Sequence, residues 1–162
     1  MKKKFIPLVI LAALSLVACG SSDNSSSANS STKTSESTTV SSAESKKDLP
    51  SEDQGIGIMY LSGPGGTTEN GETLTIFDDG DTQVMQIGMD VSELDGNKLS
   101  YIYIDGSLSS KEQVSTGQST LGLTKENLTP GRHTVNLVQY DNNSEDGSIV
   151  INKVANYEVT KK

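Results

Sequence analysis

"NLTPGRHTVNLVQYDNNSEDGSIVINKVANYEV", residues 127–159, places apolar side chains at every second position on either side of a polar centre. Val135 and Leu137 alternate in the first arm; Ile149 and Ile151, then Ala155, Tyr157 and Val159, alternate in the second. A repeat of two belongs to a strand, whose successive side chains leave on opposite faces, whereas a helix repeats near 3.6. Between the arms, "DNNSEDG" at 141–147 collects Asp, Asn, Ser and Gly, which bond to nearby backbone or tolerate left-handed conformations. The stretch predicts a long hairpin entered through the corner "TPGR" at 129–132.

The same alternation continues upstream. Ile56, Ile58 and Tyr60 form one run, Leu74 and Ile76 another, and Met85, Ile87 and Met89 a third. In a fourth, Leu99, Tyr101 and Tyr103 oppose Ile102 and Ile104. Turn-forming clusters separate them: "GPGG" at 63–66, "DDGD" at 78–81, "LDGN" at 94–97 and "DGS" at 105–107. Only "TKENLT" at 124–129 suggests a single helical turn. Seven or eight short strands in residues 53–162 predict an all-β protein, an antiparallel two-sheet sandwich, with a small barrel as the rival architecture. The hairpin segment is similar to the last two strands of bacterial immunoglobulin-like and fibronectin-like modules, with support from "LSYIYIDGS" at 99–107. The chain has one Cys and no Trp, so the disulfide and core tryptophan of antibody domains are absent. Stability must then rest on burial of Ile, Val, Leu, Met and Tyr.

The N-terminus has a different grammar. Lys2, Lys3 and Lys4 precede an apolar run from Phe5 to Val17, too short to span a bilayer as a helix of about 20 residues. This reads as a signal peptide over residues 1–18. Leu16-Val17-Ala18-Cys19-Gly20 resembles the lipobox of bacterial lipoproteins, which implies cleavage between Ala18 and Cys19 and a diacylglycerol thioether on Cys19, with palmitate-type acyl chains as the membrane anchor. Each buried methylene contributes about 0.8 kcal/mol, so two or three chains hold durably. Residues 19–52 then read as a linker: between Ser21 and Ser45, 16 of 25 residues are Ser or Thr. Such a tract buries too little apolar surface to offset the entropy of ordering, and it predicts a flexible tether with ends about 30 Å apart.

Composition limits the chemistry. With 13 Lys and Arg against 21 Asp and Glu, the net charge is −8, which argues against a nucleic-acid partner, since neutralising phosphates needs clustered cations. The single His, His133, would need a nucleophile and an orienting carboxylate to act in catalysis, and is expected to be a surface or partly packed strand residue. Lipidation would consume the only thiol. A Ser–Lys pair drawn from Ser109, Ser110 and Lys111 faces the difficulty that adjacent strand residues point to opposite sides.

Two oxygen-rich clusters invite comparison with calcium sites. Asp141, Asn143 and Glu145 alternate like the opening of an EF-hand loop, but the glycine falls at Gly147 and Asn152 stands where the closing carboxylate belongs. Asp78, Asp79 and Asp81 form the second cluster. The plainer reading of both is turn chemistry on solvated loops, and no cofactor is expected. Tyr101 and Tyr103 share one side of a strand and are the candidate binding face: a strand apolar on both sides is either covered or presents an aromatic patch to a partner.

These readings converge on a non-enzymatic, lipid-anchored protein of Gram-positive type, held at the cell membrane and facing outward. It would present an immunoglobulin-like domain to an unidentified envelope, wall or surface partner. Two alternatives belong to other classes. "LAALSLVA" at 11–18 resembles the short pheromones released from some lipoprotein signals, and an envelope hydrolase using carboxylates or a Ser–Lys pair is the other.

Overall fold

The computed structural model describes residues 46–161. The signal peptide with its 11–18 fragment, Cys19 and the tether up to residue 45 lie outside the described residues.

Nine strands follow one another: β1 (Ile58–Gly63), β2 (Gly66–Thr67), β3 (Leu74–Asp78), β4 (Val84–Ser92), β5 (Ser100–Ile104), β6 (Ser107–Glu112), β7 (Gly117–Thr124), β8 (Gly131–Tyr140) and β9 (Ile149–Lys161). A 3-10 turn, Lys125–Leu128, is the helical turn suggested by "TKENLT". The strands form two sheets, β2-β1-β4-β7 and β3-β9-β8-β5-β6. The runs β1-β4-β7 and β9-β8-β5 reproduce the A-B-E and G-F-C orders of the immunoglobulin sandwich. Two separate sheets with free edges rule out the closed barrel.

The expected hairpin is β8–β9, paired from Gly131 against Val159 to Tyr140 against Ile149. Three details differ from expectation. The runs Ile149–Ile151 and Ala155–Val159 belong to one strand, β9. Strands β2, β6 and β7 lie where no alternation was singled out. The pairing is also not wholly antiparallel: β3 runs parallel to β9, Leu74 beside Tyr157 through Asp78 beside Lys161. After the β1–β2 hairpin the chain changes sheets, and a strand that changes sheets need not reverse against its new neighbour.

Most of the alternation read from sequence fills the space between the sheets, but the first run lies on the wrong face. Ile56 and Ile58 are 67% and 54% exposed, because β1 pairs with β4 so that Met59 and Leu61 lie beside the buried Val91 and Met89 and point inward instead. Leu61, Ile87, Met89, Leu121 and Leu123 of one sheet meet Ile102, Ile104, Val135 and Leu137 of the other, all nearly inaccessible. The opposite face of the five-stranded sheet is also apolar. Tyr101, Tyr103, Val138 and Tyr140 form a second buried cluster there, packed by Leu49, Leu99, Leu108 and Ile149.

Part of that cover comes from residues read as linker. The Lys47 amide donates to the Gly106 carbonyl at 2.9 Å, and Gln54 forms an antiparallel bridge with Asn152. Asn152, fully buried, donates through Nδ2 to the carbonyls of Pro50 (3.1 Å) and Glu52 (2.8 Å), and its Oδ1 accepts from Asn136. The Val154 amide donates to the Asp53 carboxylate, and the buried Lys153 ammonium to the Gly55 carbonyl. Lys47–Gly55 is thus a strap laid on the body, whose contacts begin before Asp53.

Candidate functional site

The strap and the β8–β9 loop meet over the tyrosines. Tyr101 and Tyr103 alternate with Ile102 and Ile104 on β5, so one pair enters the aliphatic core and the other the outer cluster. Tyr101 is 3% and Tyr103 1% exposed, so the proposed binding face is not an open aromatic patch. Tyr101 packs edge-on against Tyr140, with centroids 5.1 Å apart. Two ammonium groups cap the rings: Lys47 lies 4.5 Å from the Tyr140 centroid and Lys111 4.7 Å from that of Tyr101. A cation over an aromatic face is attracted by the ring quadrupole, and a long Lys stem also covers apolar surface.

The phenol groups are tied in series. The Tyr101 hydroxyl donates to the Asn143 carbonyl at 2.6 Å, Tyr103 and Tyr140 share a hydrogen bond of 3.0 Å, and Tyr103 donates to Glu145 Oε2 at 3.2 Å. Glu145 Oε1 pairs with Lys111 at 2.9 Å. Burial, reinforced by the bond to Tyr140, pushes the Tyr103 phenol above its ordinary value. The Lys111 hydrogen bond holds the Glu145 carboxyl below the usual range, and the same bond raises the Lys111 ammonium.

This wiring places the oxygen ligands weighed for calcium. Asp141 Oδ1 accepts from the Ser148 amide, closing the base of the loop. Asn143, in left-handed conformation at φ 58°, accepts the Leu99 amide through Oδ1, while Glu145 turns to Lys111 and Tyr103. The three address different donors instead of a common centre. In the other cluster, Asp79 Oδ1 accepts from the Asp81 amide and the Thr82 hydroxyl. Asp78 is 7% exposed, and its Oδ1 has no hydrogen-bond partner among the described residues. It borders a hollow of about 170 Å³ shared with Lys125 and Lys161, whose positive charges oppose a divalent cation. Among the described residues no group of three or more His, Cys, Asp or Glu converges as a metal centre requires.

His133 is buried, 5% exposed, where a surface or partly packed position was expected. It stacks on Tyr157 with centroids 4.9 Å apart and has an orienting carboxylate, since Nδ1 lies 2.7 Å from Asp105 Oδ2. Nε2 faces the Thr129 carbonyl at 2.7 Å, so neither nitrogen is open to take a proton from a nucleophile. Asp105 owes its place to the β5–β6 hairpin. Asp105 and Gly106 both have positive φ, 50° and 82°, the geometry of a two-residue turn that Asp-Gly favours. Any Cβ on Gly106 would also collide with the Lys47 carbonyl, so the turn and the strap require the same glycine. The "DGS" signal marks this turn, but nothing in the sequence pairs Asp105 with His133, and Lys47 and Leu49 sit in a stretch whose composition reads as linker. Lys111, held by Glu145, completes no Ser–Lys pair.

No family model matches the chain, and no curated protein does. Solved structures resemble it distantly. The fibronectin(III)-like modules of CbhA from Clostridium thermocellum are 14% identical, with 64% of this chain and 98% of that chain covered and a TM-score of 0.37. A CARDB domain from Pyrococcus furiosus is 14% identical over 66% of this chain and 98% of that chain, with a TM-score of 0.40. A Jonesia denitrificans lytic polysaccharide monooxygenase is 15% identical over 55% and 58%, with a TM-score of 0.33. At these values the fold assignment rests on the strand order itself.

Proposed function

We propose that the chain is a lipid-anchored extracytoplasmic binding protein: Cys19 is acylated, the Ser/Thr tract is its tether, and the sandwich meets a partner at the cell envelope without catalysing a reaction. The anchor rests on the ordered series of lysines, apolar run, small residues and Cys19. The binding role is carried by one observation: the groups best suited to acid–base or nucleophilic work are committed to structural contacts. His133 is bonded at both nitrogens, and Glu145, Lys111 and Tyr103 close the outer cluster. A strap that ties the root of the tether to the body suits a domain held out from a surface.

Replacing Cys19 with Ala and fractionating cells tests the anchor. The substituted protein is expected in the soluble or medium fraction, and membrane retention equal to the parent would remove the lipid from this reading.

A further inference from the structure

β6 and β7 are the free edges of their two sheets on one side of the sandwich, and a cleft of about 290 Å³ lies between them. Its volume falls just below the range of about 300–1,000 Å³ usual for ligand pockets, which limits the occupant to roughly one small ring. Ile104 and Leu108 give it an apolar part. Around these stand Ser107 and Ser109 from β6, and Glu126 and Asn127 from the 3-10 turn.

These groups are not used up by the fold. Asn127 Oδ1 accepts from the Thr124 amide and hydroxyl, which fixes the side chain and leaves its Nδ2 without a partner among the described residues. The hydroxyls of Ser107 and Ser109 and the carboxylate of Glu126 also make no hydrogen bond among the described residues. Polar side chains on an edge strand guard against pairing with another sheet. That protection needs neither a cavity beside them nor a fixed amide at its rim.

We infer that this cleft binds an uncharged sugar ring, which deepens the binding role proposed above by naming the partner's chemistry. Each sugar hydroxyl both donates and accepts, matching a wall that mixes serine hydroxyls, an amide donor and a carboxylate acceptor. The ring's C–H surface would meet the part of Leu108 that the tyrosine cluster leaves uncovered, with the buried Ile104 forming the floor of the cleft. Charge favours a neutral occupant: an anion would face Glu126 and Asp105, and a cation gains little from them, since both Asp105 oxygens are engaged by His133 and the Thr134 amide and Lys46 stands on the same rim.

Saturation-transfer NMR with the full chain tests this, using methyl β-D-glucopyranoside and methyl N-acetyl-β-D-glucosaminide as neutral probes and glucuronate and glucosamine as charged ones. Saturable transfer to the neutral probes is expected, weakened about tenfold in Glu126→Ala and in Ser107→Ala with the melting temperature unchanged. A neutral tetrasaccharide separates the sources: transfer confined to its terminal ring identifies a chain end, and transfer to internal rings identifies the body of a polymer. No saturable signal from the neutral probes, unchanged affinity in both variants, or equally tight binding of a charged probe would overturn the inference. Any of these would leave the membrane anchor standing, since fractionation of Cys19→Ala reads that separately.

Discussion

The five-stranded sheet buries apolar side chains on both faces, but the two faces are closed by different means. On the inner face, Ile102, Ile104, Val135 and Leu137 are sealed by a second sheet whose Leu61, Ile87, Met89, Leu121 and Leu123 repeat the same alternation. On the outer face, Tyr101, Tyr103 and Tyr140 are sealed by a strap that carries Lys47, a loop that carries Glu145 and Asn143, and Lys111 from β6. Aliphatic burial is non-directional and needs only matched volume. The tyrosine hydroxyls need partners, so the outer cover has to be polar and specific in position. The inner face should therefore dominate stability, and the outer face should be the part that opens separately.

The largest expected effect breaks the inner face. Leu137→Ala removes a fully buried side chain from the centre of β8 and should cost about 2–5 kcal/mol, read from denaturant unfolding. Val138→Ala, its neighbour on β8 pointing to the outer cluster, should cost less, roughly 1–2 kcal/mol. Equal losses would mean that the outer cluster is as much a core as the inner one.

Asn152→Ala tests the separability of the cover. It leaves the Glu52 carbonyl without its donor and takes one of two donors from Pro50, for a cost of about 1–3 kcal/mol. The more telling reading is proteolysis: trypsin should cut after Lys47 faster than the domain unfolds globally, because the strap lifts locally. Cleavage that simply tracked global unfolding would make strap and body a single cooperative unit.

What was legible in the sequence follows the same division. The inner core could be read because its alternation is dense: Val135 and Leu137, Met85 through Met89, and Ile102 with Ile104 announce strands and faces together. Strand β6, "SLSSKE", escaped because an exposed edge strand has no apolar face to reveal it, and in β7 the pair Leu121 and Leu123 was too short a signal. Tyr101 and Tyr103 were recognised as sharing a face, but not that the face is covered, since its cover comes from Lys47 and Leu49, far away in sequence. The acidic loop drew attention for its oxygens. Their partners, Lys111 on β6, Tyr103 on β5 and Leu99 just before β5, are distant in sequence, and only the three-dimensional register brings them together. Polar contacts of long sequence separation leave no period to read.

The smallest expected effect concerns the charge within the outer cover. The Glu145 carboxyl is held below its ordinary value of 4.5, first by the Lys111 hydrogen bond. A carboxyl depressed in the folded state adds stability above its unfolded value, and that stability is lost as pH falls through the folded value. Acid should therefore weaken the parent below about pH 4.5, and Glu145→Gln should remove this component of the acid limb. Lys111 and Glu145 side chains are 42% and 39% exposed, so solvent screens the pair and its contribution should stay within about 1 kcal/mol. Glutamine keeps an oxygen that can accept from Tyr103, so the substitution removes the charge while the phenol network can persist. A flattened acid limb with an unchanged strap-cleavage rate would show that the hydroxyl contacts hold the cover and the ion pair only trims it. Faster cleavage in Glu145→Gln would transfer that role to the charge.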